Sequence, residues 1–157
     1  MTDVRSDPSV AGYYGKMPVR GDFLAHGLPR EFVDPWDDWV QLALEQSRNQ
    51  LSDRWLDVYL TSPLWHFALA PAVCGDISWA GVLMPSVDAV GRYFPLTIAA
   101  PVEAGSNITT VLSVSQHWLL KVEELARSSL EDGFDLDRFD QQIQALERPV
   151  GEPVNSN

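Results

Sequence analysis

Residues 77–102 read ISWAGVLMPSVDAVGRYFPLTIAAPV, and this stretch decides the fold class of the chain. Ile77 to Met84 is almost entirely apolar, which predicts a strand that is buried on both faces of a sheet. Phe94 to Val102 predicts a second strand, and the polar residues 85–93 predict a loop between them. Because neighbouring strands joined by a short connection favour antiparallel pairing, the centre of the predicted sheet is antiparallel.

Two further strands are predicted on the N-terminal side of this pair. In Leu64 to Ala70, large apolar residues alternate with smaller or polar ones, which is the period of a strand. Ala11 to Gly15 predicts a short strand that leads into a turn at Lys16-Met17-Pro18. Phe23 to Leu28 predicts a short irregular or helical piece, which Pro29 ends.

Helices are predicted before and after these strands. Asp34-Pro35 is typical of a helix start, because aspartate caps helices and proline fits their first turn. We expect this helix over about 35–51, with a shorter one behind it that ends at Ser62-Pro63. In the C-terminal third, apolar residues at helical spacing predict a long helix that Gly133 ends and a last helix that starts at Asp135.

The order of these elements predicts an α/β fold. We expect a three-layer α/β/α sandwich with a small, largely antiparallel or mixed central sheet. At 157 residues, the length favours one domain, which we place at 11–148. Residues 1–10 are expected to be a flexible N-terminus and residues 149–157 a disordered tail.

Composition excludes several classes of function. The chain carries 22 acidic and 11 basic residues, a net charge of −11, which argues against nucleic-acid binding and against docking to an anionic membrane. The single cysteine, Cys74, allows no intrachain disulfide and fits a reducing compartment. The first residues contain no apolar h-region, so we expect no secretory signal, and no apolar stretch reaches the ~18–20 residues of a membrane helix. We therefore expect a cytoplasmic protein without membrane insertion.

Two segments, Gly12 to Phe23 and Met84 to Leu96, combine glycine, proline, a basic residue and aspartate with aromatic residues. Arg20, Asp22, Asp88 and Arg92 could form an ion-pair network that joins them. One interpretation is structural pairing that shapes the loops, because buried charges must be paired. The other is that the loops form one recognition surface, and the residues alone leave both interpretations open.

No catalytic motif is complete. Gly15-Lys16 lacks the remainder of a phosphate-binding loop, so we expect Lys16 to be exposed in a turn or paired with a nearby carboxylate. Ser86 and Asp88 lack a nucleophile elbow, and Ser86 is expected to start a turn. Arg20-Gly21-Asp22 matches an integrin-type tripeptide. Tripeptides occur often by chance, so we assign this match no function.

Metal and cofactor sites are not expected either. The three histidines and the one cysteine lack the spacing of metal ligands. His66 is expected to be a hydrogen-bonded histidine of a strand. Trp36, Trp39 and Trp55 are expected to form a stripe of the core.

The same two segments resemble the TagF (also ImpM) family of accessory proteins of the bacterial type VI secretion system. The resemblance extends over residues 12–102, and its most specific block runs from Gly81 to Leu96. The C-terminal helices match by pattern only. The residues that carry the resemblance to this family are Gly15-Lys16-Met17-Pro18, Gly21-Asp22-Phe23, Trp36, Trp39, Ser62-Pro63, Trp65, Phe67, Gly81 to Asp88 and Gly91 to Leu96.

This resemblance implies regulation and no catalysis. Family members repress type VI secretion after translation, are linked to its forkhead-associated protein, and act in parallel with a serine/threonine kinase and phosphatase pathway. A phosphatase domain, fused in some relatives, would here be a separate protein. No cofactor or catalytic residue is implied; the motif residues that we expect to bind a partner are Lys16, Arg20, Asp22, Ser86, Asp88 and Arg92. The alternative is a small enzyme or a nucleotide- or phosphate-handling domain that uses the Lys16 and Ser86 loops.

Overall fold

The computed structural model describes residues 10–154 as a mixed α/β fold with a five-stranded antiparallel sheet. Residues 1–9 of the expected flexible N-terminus and residues 155–157 of the expected tail lie outside the described residues. The strand order is β2-β1-β5-β4-β3. The strands are β1 (Gly12–Gly15), β2 (Leu24–His26), β3 (Trp65–Leu69), β4 (Trp79–Met84) and β5 (Leu96–Pro101).

Four of these strands confirm the sequence predictions. β4 and β5 pair antiparallel in the register Val82↔Ile98, and every residue of β5 is buried. The expectation of an irregular or helical piece at Phe23 to Leu28 is wrong, because β2 forms there and pairs with β1 through Tyr14↔Ala25. Three residues are too short to show a strand period, so pairing with β1 decides their conformation.

The helices are α1 (Arg30–Leu51), α2 (Trp55–Thr61), α3 (Val111–Val114), α4 (Gln116–Ser128) and α5 (Leu136–Gln144). The predicted start of α1 at Asp34-Pro35 is wrong, because the helix begins at Arg30 and Pro35 lies inside it. Proline removes one backbone hydrogen bond there. The helix continues because Phe32 and Trp36, one turn apart, are both buried under it.

The predicted long C-terminal helix is divided into α3 and α4 at Ser115. Its hydroxyl donates to the Val150 carbonyl and accepts the Val150 amide, at 2.7 and 2.8 Å. Ser115 departs from helical geometry, with a φ of −100° and a ψ of 30°, although its backbone keeps hydrogen bonds to Val111 and Leu119 at 2.9 and 3.0 Å. α4 ends at Ser128, before Gly133, because the hydroxyls of Ser128 and Ser129 bond to carbonyls of its last turn. The predicted start of α5 is confirmed, since the Asp135 carboxylate caps its first amides.

Residues 149–154, expected to be disordered, are instead held against the segment that precedes α3. Glu103 donates its amide to the Pro149 carbonyl at 2.9 Å, and Asn107 donates to Glu152 at 2.7 Å. Pro149 is buried, so this part of the chain belongs to the packed structure.

Two apolar clusters lie on opposite faces of the sheet, because successive strand residues alternate between them. One cluster includes Val82 and Ile98 with residues of α3, α4 and α5. The other includes Trp79 and Ala99 with residues of α1. Of the three tryptophans expected in a core stripe, Trp36 is buried and Trp55 half-buried, but Trp39 is exposed.

A buried hydrogen bond ties α1 to the centre of the sheet. The Trp36 indole Nε1 donates to Thr97 Oγ1 at 2.8 Å, and Thr97 lies on β5 with 1 % of its surface exposed. Because both groups are buried, water cannot replace either partner. Loss of one partner would therefore leave the other without a hydrogen bond and destabilise the fold.

Thr97→Val is expected to destabilise the fold by about 1–3 kcal/mol, because it leaves the Trp36 indole N–H buried without an acceptor. Trp36→Phe removes the donor, so the double variant should lose less than the sum of the two single variants. Urea unfolding of all four proteins measures this coupling. Strict additivity would contradict the hydrogen bond.

Candidate functional site: the Lys16–Asp88–Arg92 loops

The candidate site begins where β1 ends. Gly15 has a φ of 141° and lies so close to β5 that a Cβ there would be 2.2 Å from the Pro95 carbonyl oxygen. Only glycine accepts both conditions. The chain therefore turns inward at Gly15, and the next residue, Lys16, enters the protein with 9 % of its side chain exposed.

The loop between β4 and β5 is organised by the Asp88 carboxylate, none of which is exposed. Its Oδ1 atom accepts the amides of Val90 and Arg92 at 2.9 and 3.0 Å. Its Oδ2 atom accepts Arg92 Nε at 2.8 Å and lies 3.1 Å from Lys16 Nζ. Gly91, with a φ of 97°, completes the turn. One buried carboxylate thus has four donors, two from its own loop backbone and two cationic.

Backbone contacts join this loop to the segment that follows Lys16. The Ala89 amide donates to the Arg20 carbonyl at 2.7 Å, and the Arg92 guanidinium donates to the Gly21 carbonyl. Val90 lies against Gly21 and keeps 72 % of its surface exposed. We call the joined segments 16–23 and 85–93 the paired loops.

Aromatic rings close one side of the paired loops. The Phe23 ring centroid lies 4.8 Å from Lys16 Nζ, a cation–π distance. The same ring stacks on Tyr14 and meets Phe94 edge to face, at 5.7 and 4.8 Å between centroids. Lys16 is therefore enclosed between the Asp88 carboxylate and the Phe23 ring.

The pKa of Asp88 is held well below its usual range. Burial alone would raise the pKa, but the amides of Arg92 and Val90 and the cations of Lys16 and Arg92 favour the charged form more strongly. Asp88 is thus a permanent anion at neutral pH. A carboxylate in this state neither donates a proton nor acts as a general base for a substrate.

Ser86 lies at the base of the loop and contacts α2. The Tyr59 hydroxyl donates to the Ser86 carbonyl at 2.7 Å and accepts the Ser86 amide at 2.8 Å. Burial raises the pKa of Tyr59 to about 12, so the hydroxyl stays neutral and serves both bonds. The Ser86 side-chain hydroxyl is buried and has no hydrogen-bond partner among the described residues.

The structure divides the six predicted residues into three groups. Asp88 and Arg92 form the predicted ion pair, and Lys16 joins them in place of Arg20 and Asp22. These two residues are exposed and form no salt bridge within residues 10–154. Ser86 is buried next to the network. Sequence reasoning missed the role of Tyr59, because nothing in its position along α2 indicates a loop contact.

The arrangement does not form a hydrolase or metal site. Histidine is absent from the hydrogen-bond partners of Asp88, so a Ser–His–Asp triad is not assembled. His66 bonds to Glu123 at 2.8 Å, as expected for a strand histidine. In the described part of the chain, no group of three or more His, Cys, Asp or Glu residues is placed to hold a metal ion.

Comparison with known proteins identifies the family. The model of the TagF N-terminal domain, type VI secretion system-associated, matches residues 12–146. The chain belongs to this TagF family. Both paired loops and all five strands lie within the matched range.

A solved structure supports the family assignment. The TagF domain is similar to PA0076 from Pseudomonas aeruginosa PAO1, with 44 % sequence identity and a TM-score of 0.84. The match covers 88 % of this chain but 63 % of PA0076, so the chain spans less than two thirds of that relative. No curated protein matches this chain. Among residues 10–154, no helix combines the length and apolar character needed to cross a bilayer.

Asp88 should make the stability of the TagF domain depend on pH. Its pKa is about 3.9 when unfolded and lower when folded, so the stabilising charge is complete above about pH 5 and is lost as the pH falls towards the folded pKa. Asp88→Asn removes this charge. We expect the variant to be less stable at pH 7, with the difference shrinking between about pH 5 and pH 2.

Urea unfolding across this pH range measures the effect. Asp22→Asn is the matched control, because it makes the same substitution at an exposed aspartate of the paired loops that forms no salt bridge within residues 10–154. Parallel stability curves for wild type and Asp88→Asn would show that Asp88 does not titrate as the structure requires.

Proposed function

We propose that this TagF domain is a cytoplasmic, non-enzymatic regulator that represses the type VI secretion system by binding one of its components, the forkhead-associated protein. The proposal rests on the family assignment, which associates the domain with that system. We propose the paired loops as the binding surface. The observation that carries this choice is that Asp88 and its four donors fix two exposed segments in one shape before any partner arrives.

A surface fixed in this way favours binding, because little loop ordering is required when the partner docks. Its outer groups are the side chains of Arg20, Arg92, Val90 and Phe23, all exposed. They combine charge with apolar contact, as protein interfaces do. The paired loops hold three basic and two acidic residues in a chain with a net charge of −11, so they differ in sign from the remainder of the molecule.

The alternative of an enzyme or nucleotide-handling domain finds less support. A phosphate-binding lysine needs a free ammonium group, whereas Lys16 Nζ is paired with Asp88 and covered by Phe23. The Ser86 hydroxyl is buried and has no base beside it to activate it. Both features support the non-enzymatic interpretation.

Three further parts of the proposal concern the architecture of the domain, the class of its partner and its relation to phosphorylation. The clusters on opposite faces of the sheet support a three-layer α/β/α sandwich. The acidic net charge supports a protein partner over nucleic acid. We propose that the serine/threonine kinase and phosphatase pathway acts in parallel, through separate proteins.

Arg92→Ala should weaken binding to the forkhead-associated protein by about tenfold or more, because it removes an exposed cation together with two contacts that hold the paired loops, one to the Asp88 carboxylate and one to the Gly21 carbonyl. Isothermal titration calorimetry at about 0.05 and 0.3 M salt measures the affinity and its electrostatic part. Circular dichroism establishes that each variant is folded.

Arg30→Ala is the matched control, since Arg30 is an exposed arginine at the start of α1 that pairs with Asp34. It should bind as wild type does. A folded Arg92→Ala variant with unchanged affinity would exclude the paired loops as the binding surface. If wild type itself does not bind, the choice of partner is wrong.

Nucleotides should not stabilise the domain. A ligand at a hundredfold excess over its Kd adds about 2.7 kcal/mol of stability, which thermal unfolding detects readily. We expect no change in Tm with ATP, ADP, GTP or GDP, with or without magnesium. A concentration-dependent increase that Lys16→Met abolishes would favour the nucleotide-handling alternative.

A further inference from the structure

Helix α1 exposes large apolar side chains beside its buried face. Trp39 is 53 % exposed, and Leu42, three residues later, is 52 % exposed. Residues three apart are neighbours on a helix surface. α1 packs on the sheet through Phe32, Trp36 and Val40, so Trp39 and Leu42 are not needed for that contact.

A second exposed tryptophan lies on the strand beside this helix. Trp65, at the start of β3, is 59 % exposed. Within residues 10–154, β3 pairs with β4 only and is an edge strand. Trp65 is two residues from Phe67, so both side chains leave the strand on the same face, the one that α1 covers.

The buried Trp36 ring links the two exposed tryptophans. Its centroid lies 5.1 Å from that of Trp39 and 4.6 Å from that of Phe67, which follows Trp65 on the same face of the strand. We define the tryptophan edge as Trp39, Leu42 and Trp65. Trp39 and Trp65 lie on either side of the contact between Trp36 of α1 and Phe67 of β3, and Leu42 extends the exposed apolar surface along α1 from Trp39. Exposed surfaces of this kind mark interaction sites.

Acidic side chains surround the tryptophan edge. Helix α1 carries five acidic and two basic residues. Asp38 and Glu45 are exposed and flank Trp39 and Leu42 along the helix. Of the two basic residues, Arg30 pairs with Asp34, and Arg48 lies over the ring of Trp55. Neither therefore neutralises Asp38 or Glu45.

We propose that the tryptophan edge binds a basic amphipathic segment of a partner protein, with its apolar side chains on Trp39, Leu42 and Trp65 and its cations on Asp38 and Glu45. Charge complementarity selects this occupant. A second copy of the chain is disfavoured, because it would bring the same acidic residues to the contact. This inference is independent of the paired loops. Their first segment follows β1, which is joined to the other flank of α1 because the Tyr14 hydroxyl donates to the Asp37 carboxylate at 2.7 Å.

Nuclear magnetic resonance of the tryptophan indoles tests the proposal. The probe is a synthetic Lys/Leu amphipathic peptide of about four helical turns, about 14 residues, and the control is the Glu/Leu peptide of the same pattern. With the basic peptide at about 0.1 M salt, the indole signals of Trp39 and Trp65 should shift in a saturable way. Those of the buried Trp79 and Trp118 should stay in place. The acidic peptide should shift neither group.

Variants give the second measurement. Trp39→Ser should weaken peptide binding by about tenfold, equal to about 1.4 kcal/mol. Asp38→Lys with Glu45→Lys should weaken it similarly without touching an apolar contact, which keeps the test valid if Trp39→Ser unfolds. Leu120→Ser is the matched control, since Leu120 is equally exposed on α4, and it should bind normally.

Three results would overturn the proposal. Equal shifts with both peptides would remove the charge argument. Saturable binding that leaves the Trp39 and Trp65 signals unmoved would place the site elsewhere on this acidic chain. A dimer in sedimentation that Trp65→Ser dissociates would make a second copy the occupant.

Discussion

The buried Asp88 carboxylate imposes the constraint on which the rest of the candidate site depends. An anion without solvent is stable only if donors replace the water it has lost, and Asp88 has four. Two come from its own loop, which fixes the turn. A third comes from Lys16, which follows β1 and lies 72 positions earlier in the chain. The carboxylate therefore holds together two segments that are far apart in sequence.

The sheet brings these segments together. β5 lies between β1 and β4, so the end of β1 and the loop from β4 to β5 meet at the same end of these central strands. Gly15 allows the close approach, since any side chain there would collide with Pro95. Trp36 and Thr97 fix α1 over the same central strand. A change in the order of strands would separate Lys16 from Asp88 and leave each charge buried alone, a strongly unfavourable state.

Sequence patterns predicted the elements whose signals are local. The apolar run of β4, the alternation in β3 and the Asp135 cap of α5 each lie within a few residues, and all three are confirmed. The failures involve contacts from distant residues. β2 exists because β1 pairs with it, and α1 continues through Pro35 because the sheet buries Phe32. The third member of the ion network, Lys16, could not be chosen over Arg20 without knowing which side chain enters the protein.

The same physics separates the structural from the functional residues of the paired loops. Asp88 and Lys16 form a salt bridge with each other and are almost completely buried, so neither is available to form an ion pair with a partner. Their contribution to binding is to position the exposed side chains of Arg20, Val90 and Arg92. A variant of Asp88 would therefore change stability and loop shape together, and its loss of binding could not be assigned to a contact. Substitutions of Arg20 and Val90 separate the two effects, because neither side chain bonds to the buried carboxylate, whereas Arg92→Ala also removes one of its four donors.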